Sequence, residues 1–263
     1  MTDKKQEIVT ITYDEPGVAT VVINYPPVNA LTLEMLSELE CAFNELEIND
    51  DIRAIILTAE GNRAFVAGAD INALSIRQRK HIKMYLTQIH NVFNRIDAFP
   101  KPTICAINSH AAGNGCELAM VCDIRVANED AKFIFPECRF GVVSAGGATQ
   151  RLPRLIPQGR ALYYLYTADA MSAQEGLRLG FVDFIKPAKD VYRTALEIAQ
   201  KISNKAQLTA TAMKKLVKNG VEKPMIDSLM EELVASIESS GTDDFFEGMT
   251  AYLEKREPIF KGH

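Results

Sequence analysis

Between residues 8 and about 185 this chain alternates short β-branched runs with longer amphipathic stretches, and beyond that point only helical spacing remains. That alternation restricts the fold to a sheet with helices laid against it, followed by an all-helical C-terminal portion, so the fold class is α/β. Residues 8–13 and 18–24 are rich in Val, Ile and Thr and flank Glu15-Pro16-Gly17, which predicts a hairpin. The proline-rich segment 25–31 does not suit a continuing strand. Thr32 is placed to cap a helix over 33–49, where Leu36, Leu39, Phe43 and Leu46 recur at three- to four-residue spacing. Residues 53–58 and 103–107 read as buried strands, with a long amphipathic helix over 76–98 stopped by Pro100 and Pro102. Helices are predicted over 157–167 and 172–179 and a last strand over 182–185. Four helices follow, near 190–204, 207–219, 225–240 and 243–256. No repeat, low-complexity segment or linker interrupts this order.

A chain of 263 residues can form one large domain, or one domain with a smaller appendage. The net charge of −5 and pI near 5.5 argue against the broad basic footprint of a nucleic-acid binder. An anionic ligand would have to be met by a few well-placed Lys or Arg residues. No apolar run approaches the roughly 20 residues of a membrane helix. The N-terminal MTDKKQEIVTITYDE lacks the apolar core of a secretory signal, so the expected location is cytoplasmic. Cys41, Cys105, Cys116, Cys122 and Cys138 form no C-x-x-C pair and have no histidine at ligand spacing. They are expected as buried or reduced thiols, with neither disulfide nor zinc.

The chemistry-bearing residues gather between Asn108 and Leu152. Two glycine turns, Gly113-Asn114-Gly115 and Gly146-Gly147, each open onto a helix-like segment, whose first N–H groups are free to meet a ligand. Two carboxylates, Glu117 and Glu137, stand among apolar neighbours where a charge needs a partner or a task. Glu117 lies three residues after Asn114, the spacing of a capping box, which would account for it without chemistry. Its neighbours Cys116, Leu118, Ala119 and Met120 nevertheless predict a buried helix, and a glutamate in that setting is a candidate acid or base. Glu137 is equally readable as a strand-end carboxylate paired with Arg139 or Arg151. Spacing alone does not join the two glutamates. The small loop Ala67-Gly68-Ala69-Asp70 either admits a ligand to its backbone or is a tight turn capped by Asp70. His110 reads as structural, and no dinucleotide fingerprint, P-loop or nucleophile elbow is present.

These residues resemble the crotonase, or enoyl-CoA hydratase/isomerase, superfamily. The resemblance runs through PPVNAL (26–31), RAIILTAEGNRAFVAGADI (53–71), KPTICAINSHAAGNGCELAMVCDIRVA (101–127), FPECRFGVVSAGGATQRLPR (135–154), SAQEGLRLGFVD (172–183) and DDFFEGMTAYLEKREPIF (243–260). It implies a crotonase-like spiral of ββα repeats over 1–190, carrying an acyl-CoA site. Residues 191–263 would form a helical region for trimerisation, as a homotrimer or a dimer of trimers. By motif, the backbone N–H groups of Ala69 and Asn114 would form an oxyanion hole for the thioester carbonyl. Glu117 and Glu137 match the two glutamates that hold one water in hydratases of the family, with Glu117 as base and Glu137 as acid. The CoA arm would lie along Val28 to Ala30 and along Ala67, Gly68, Asp70, Ile71 and Asn72. Tyr252 and Lys255, on one helix face, would reach a neighbouring subunit's adenine and 3′-phosphate; their plainer reading is an ordinary surface pair. No metal or redox cofactor is implied.

Three positions depart from the usual family pattern. Asn114 stands where glycine is common, which bears on the acyl site. Residues 143–148 lack the usual proline and extra glycines, expected to bear on how Glu137 is oriented. Asn72 replaces a common lysine. The resemblance favours hydration of a 2-trans-enoyl-CoA in fatty-acid or amino-acid breakdown. Δ3,Δ2-isomerisation and methylglutaconyl-CoA-type hydration are the alternatives within the family. An RNA-binding relative is disfavoured by the acidic pI, and an inactive scaffold by the survival of both carboxylates.

Overall fold

The near-continuous Val/Ile/Leu/Ala runs become strands buried on both faces, as parallel sheets require. The structure, a computed structural model, describes residues 7–70 and 78–262. Strands β1 (Val9–Glu15) and β2 (Val18–Ile23) form the predicted hairpin, paired from Val9 opposite Ile23. From β2 the main sheet continues in parallel through β3 (Ala54–Ala59), β4 (Thr103–Ile107), β6 (Ile124–Asn128) and β9 (Phe184–Lys186). A second sheet joins β5 (Ala111–Ala112), β7 (Lys132–Ile134) and β8 (Met171–Ser172).

Alternation along each strand divides the core in two. Ile55, Leu57, Cys105 and Ile107 face the larger apolar cluster, whereas Ala54, Ile56, Ile104 and Ala106 face a smaller one. Helices α1 (Leu33–Ile48) and α2 (Arg79–Asp97) fill the first side through Leu36, Leu39, Phe43, Ile89, Val92 and Phe93. Thr32 caps α1 by accepting the Met35 N–H at 3.1 Å. Helix α7 (Ala188–Ser203) covers the second side with Val191, Ala195 and Ala199.

The chain steps repeatedly from the main sheet to the small one and then into a helix. Strands β4 and β5 lead into α3 (Asn114–Met120). Strands β6 and β7 lead through a 3-10 turn (Glu137–Phe140) to α4 (Ala148–Leu155) and α5 (Gln158–Thr167). Strand β8 leads into α6 (Ala173–Leu179), which Ser172 caps, and on to β9. This is the ββα spiral expected from the resemblance. Helices α8 (Gln207–Gly220), α9 (Met225–Ser239) and α10 (Asp243–Glu254) close the chain, and α8 and α9 bury no residue.

The expected helix at 76–98 starts at Arg79 among the described residues, and the last strand starts two residues later than expected and ends one later, at 184–186. Cys105, Cys116 and Cys122 are buried but Cys41 and Cys138 are exposed, and among the described residues all five are free thiols. No described helix is long and apolar enough to cross a membrane.

Candidate active site

Three backbone segments that are distant in sequence run side by side. Leu31 donates its N–H to Gly68 O (2.7 Å) and accepts from Asp70 N–H (3.0 Å), which leaves the N–H of the intervening Ala69 out of that ladder. Val66 bridges to Ala111, and Ala112 N–H donates to Val66 O. Two glycines keep this contact close. Gly68 has φ +96°, and a Cβ there would stand 3.0 Å from Ala112 O and 3.9 Å from Asn114 N. A Cβ on Gly115 would stand 2.0 Å from Val66 O, so only glycine fits. The turn at 67–70 therefore faces the start of α3. Among the described residues neither Ala69 N–H nor Asn114 N–H has a hydrogen-bond acceptor, the second because it opens a helix. Two unspent donors side by side can bind one carbonyl oxygen. Tyr85, buried on α2, donates its hydroxyl to Leu31 O and props the 28–31 segment. Sequence reasoning did not single it out; a tyrosine on the apolar stripe of α2 was the available signal.

All seven residues of α3 are buried, as its apolar sequence predicts. The capping-box reading of Glu117 fails: Gly113, not Asn114, is the N-cap, and the Glu117 N–H goes to Gly113 O at 3.1 Å. Glu117, 0% exposed, instead takes three donors on its carboxylate. Ala148 N–H gives to Oε1 at 2.8 Å, while Gly146 N–H (3.0 Å) and Asn114 Nδ2 (2.5 Å) give to Oε2. The N–H groups at the second glycine turn, expected to face a ligand, thus serve Glu117. Burial pushes the Glu117 carboxyl above its ordinary range, and these donors, with the Arg151 cation, hold that rise back.

Glu137 opens the 3-10 turn beside Gly113, where a Cβ would lie 3.1 Å from its Oε1. Neither expected arginine pairs with it: Arg139 donates to Ala168 O, and Arg151 to Gly146 O, Asn94 and Asp97. Its Oε2 is buried without a partner among the described residues. Burial, with the nearby Glu117 charge adding to it, lifts the Glu137 carboxyl to about 7. Residues 143–148 were expected to orient Glu137. Their turn holds Glu117, while Val143 and Ser144 join Glu137 in lining a cavity of about 340 Å³. The arrangement is one carboxylate held by three donors and a second with an unpartnered buried oxygen, beside two free N–H groups.

A family model described as enoyl-CoA hydratase/isomerase matches residues 14–263. The chain belongs to the enoyl-CoA hydratase/isomerase family. It is 37% identical to the short-chain-enoyl-CoA hydratase of Clostridium acetobutylicum, across 92% of this chain and 94% of that one. It is 36% identical to the crotonyl-CoA hydratase of Syntrophomonas wolfei, over 94% and 95%. A crystal structure of enoyl-CoA hydratase from Bacillus anthracis superimposes with a TM-score of 0.95 at 33% identity, covering 97% of this chain and all of that one.

Against the sites expected for this family, Val28 to Ala30 and Ala67 to Asp70 lie together, with Ala67 N–H donating to Val28 O at 3.1 Å. Ile71 and Asn72 lie outside the described residues. Tyr252 is 82% exposed near the end of α10. Lys255 does not share its helix face, because it is the C-cap with φ 55°, past the last helical residue. Neither hydrogen-bonds to the site among the described residues. His110 is structural as expected: its Nδ1 accepts the Lys132 N–H at 3.1 Å. No described cluster of His, Cys, Asp and Glu is built to hold a metal.

Proposed function

We propose that this enzyme hydrates 2-trans-enoyl-CoA thioesters, reversibly, with Glu117 as base and Glu137 as acid. The observation that carries the reading is the unlike setting of two neighbouring carboxylates. One is held by three donors, which favour its anion; the other has an unpartnered buried oxygen and a pKa near 7. Ala69 and Asn114 N–H groups polarise the thioester carbonyl. Glu117 takes a proton from water as its oxygen bonds to Cβ, charge moves onto the carbonyl oxygen, and Glu137 delivers a proton to Cα. The two N–H groups polarise the carbonyl and the two glutamates move the protons, so this reading assigns no step to a metal or redox cofactor. The CoA arm follows the paired 28–30 and 67–70 segments, with Ile71 and Asn72 beyond them. The acyl tail turns into the cavity beside Glu137, where Val142, Leu162 and Leu165 offer apolar walls. Trimers, alone or in pairs, would bring Tyr252 and Lys255 of one copy to the CoA of the next. Exposed free thiols suit a reducing compartment such as the cytoplasm.

Product analysis with two substrates tests this. Crotonyl-CoA should give 3-hydroxybutyryl-CoA at a rate far above any conversion of a 3-enoyl-CoA to its 2-enoyl isomer. A dominant isomerase activity, with crotonyl-CoA left untouched, would overturn the hydratase in favour of its family alternative.

A further inference from the structure

The N–H groups that hold Glu117 belong to the turn at 146–148, so something must hold the turn. Gly146 and Ala148 donate from the two peptides on either side of the Gly146–Gly147 peptide, and the Gly146 carbonyl accepts Arg151 Nη1 at 2.6 Å. Gly147 leaves room for that guanidinium: its φ is +100°, and a Cβ would stand 2.1 Å from Arg151 Nη1. The opposite nitrogen, Nη2, reaches across to α2, to Asn94 Oδ1 at 2.8 Å and Asp97 Oδ2 at 3.1 Å. Asp97 Oδ1 in turn takes Lys218 Nζ from α8 at 2.7 Å, and Lys218 lies 3.0 Å from Asp123. The Arg151 side chain is only 17% exposed. A planar fork spanning a carbonyl, an amide and a carboxylate fixes geometry in a way a point charge cannot.

We infer that Arg151 is a positioning residue of the acid–base pair, locking the turn that aims Glu117 and tying that turn, through Asp97 and Lys218, to helix α8. The inference rests on the hydratase reading for its kinetic arm alone. Three groups bear on the Glu117 charge: the Arg151 cation, the Glu137 carboxyl and the Cys116 thiol. Removing the cation disfavours the Glu117 anion, so Glu117 ionises at a higher pH.

The test compares wild type with R151M and R151K in hydration of crotonyl-CoA across pH, alongside an infrared titration of the Glu117 carboxyl, assigned by its loss in E117Q. In R151M, kcat should fall about 10- to 100-fold with KM little changed, and the acid limb of the rate profile should move to higher pH. R151K, a cation without the fork, should keep the limb nearer wild type but recover kcat only in part. If R151M does not fold, R151K still decides, because full wild-type kcat there refutes the fork. An R151M enzyme that is merely less heat-stable, with wild-type kcat and an unmoved acid limb, overturns the inference. Should wild type fail to hydrate crotonyl-CoA, the hydratase reading falls separately. The infrared titration then decides alone: a Glu117 carboxyl protonating at higher pH in R151M supports the role, and an unmoved one refutes it.

Discussion

At Glu117 three donors converge on one fully buried carboxylate, while at Glu137 one oxygen is buried with no donor among the described residues. The unlike settings of these two side chains, 20 residues apart, follow from the backbone around them. Glu137 also has a consequence for stability. Its folded-state pKa of about 7 lies above the ordinary 4.5, so folding favours the neutral form. Below the ordinary value both states are protonated and nothing is lost; as pH rises through the folded value, stability falls. Glu137→Gln cannot ionise, so it should melt at a higher temperature than wild type at pH 8 and at nearly the same temperature at pH 4.5. The gain at pH 8 should be on the order of 1–3 kcal/mol. Equal melting temperatures at both pH values would mean that Glu137 is solvated or paired. Glu117, Glu137 and the two glycine turns were legible in the sequence because buried carboxylates and paired glycines are unusual there. The roles of Gly146 and Ala148 N–H as Glu117 donors were not, because backbone donors carry no residue-type signal.

Elements place those residues by very close approach. Helix α3 lies against the 64–70 segment with Gly115 beneath Val66 O, and the two N–H groups proposed to bind the carbonyl sit on opposite sides of that contact. Gly115→Ala must separate the two segments, because the clash is with backbone and no side chain can turn away. Overpacking of this kind costs about 1–3 kcal/mol. Denaturant unfolding should show that loss, and kcat should drop with it as the two donors part. A variant with unchanged stability would mean that α3 stands too far from the 64–70 segment for a Cβ on residue 115 to meet Val66 O. Long elements were legible because their periodicity extends over many residues: 33–48, 79–97 and 225–239 were expected within a few residues. Strands β5 and β8, of two residues each, were not found, because two residues show no alternation. They exist through their neighbours, and β5 carries the chain directly into α3 and Glu117.

For the whole molecule, the unfinished surface is the C-terminal face. Helix α9 presents Met225, Ile226, Leu229, Met230, Leu233 and Val234 to solvent, a stripe at helical spacing that no described residue covers. The trimer proposed above would cover this face and account for an apolar helix that buries none of its residues within its own chain. Replacing both Leu229 and Leu233 with Asp should leave a folded monomer by light scattering, because neither side chain is buried within the chain, being 49% and 52% exposed. Persistence of the wild-type oligomer would move the interface elsewhere. That residues 191–263 are helical was legible from the sequence; what they touch was not, because an apolar stripe reads alike whether it meets its own core or another copy.

The most direct measurement is the rate at which crotonyl-CoA loses its conjugated enone absorbance with wild type, Glu117→Gln and Glu137→Gln, each first shown to be folded. Both variants should be slower than wild type by at least about 100-fold, because water must lose one proton and Cα must gain one. If either variant hydrates crotonyl-CoA at the wild-type rate, that glutamate handles no proton and the two-carboxylate account is wrong.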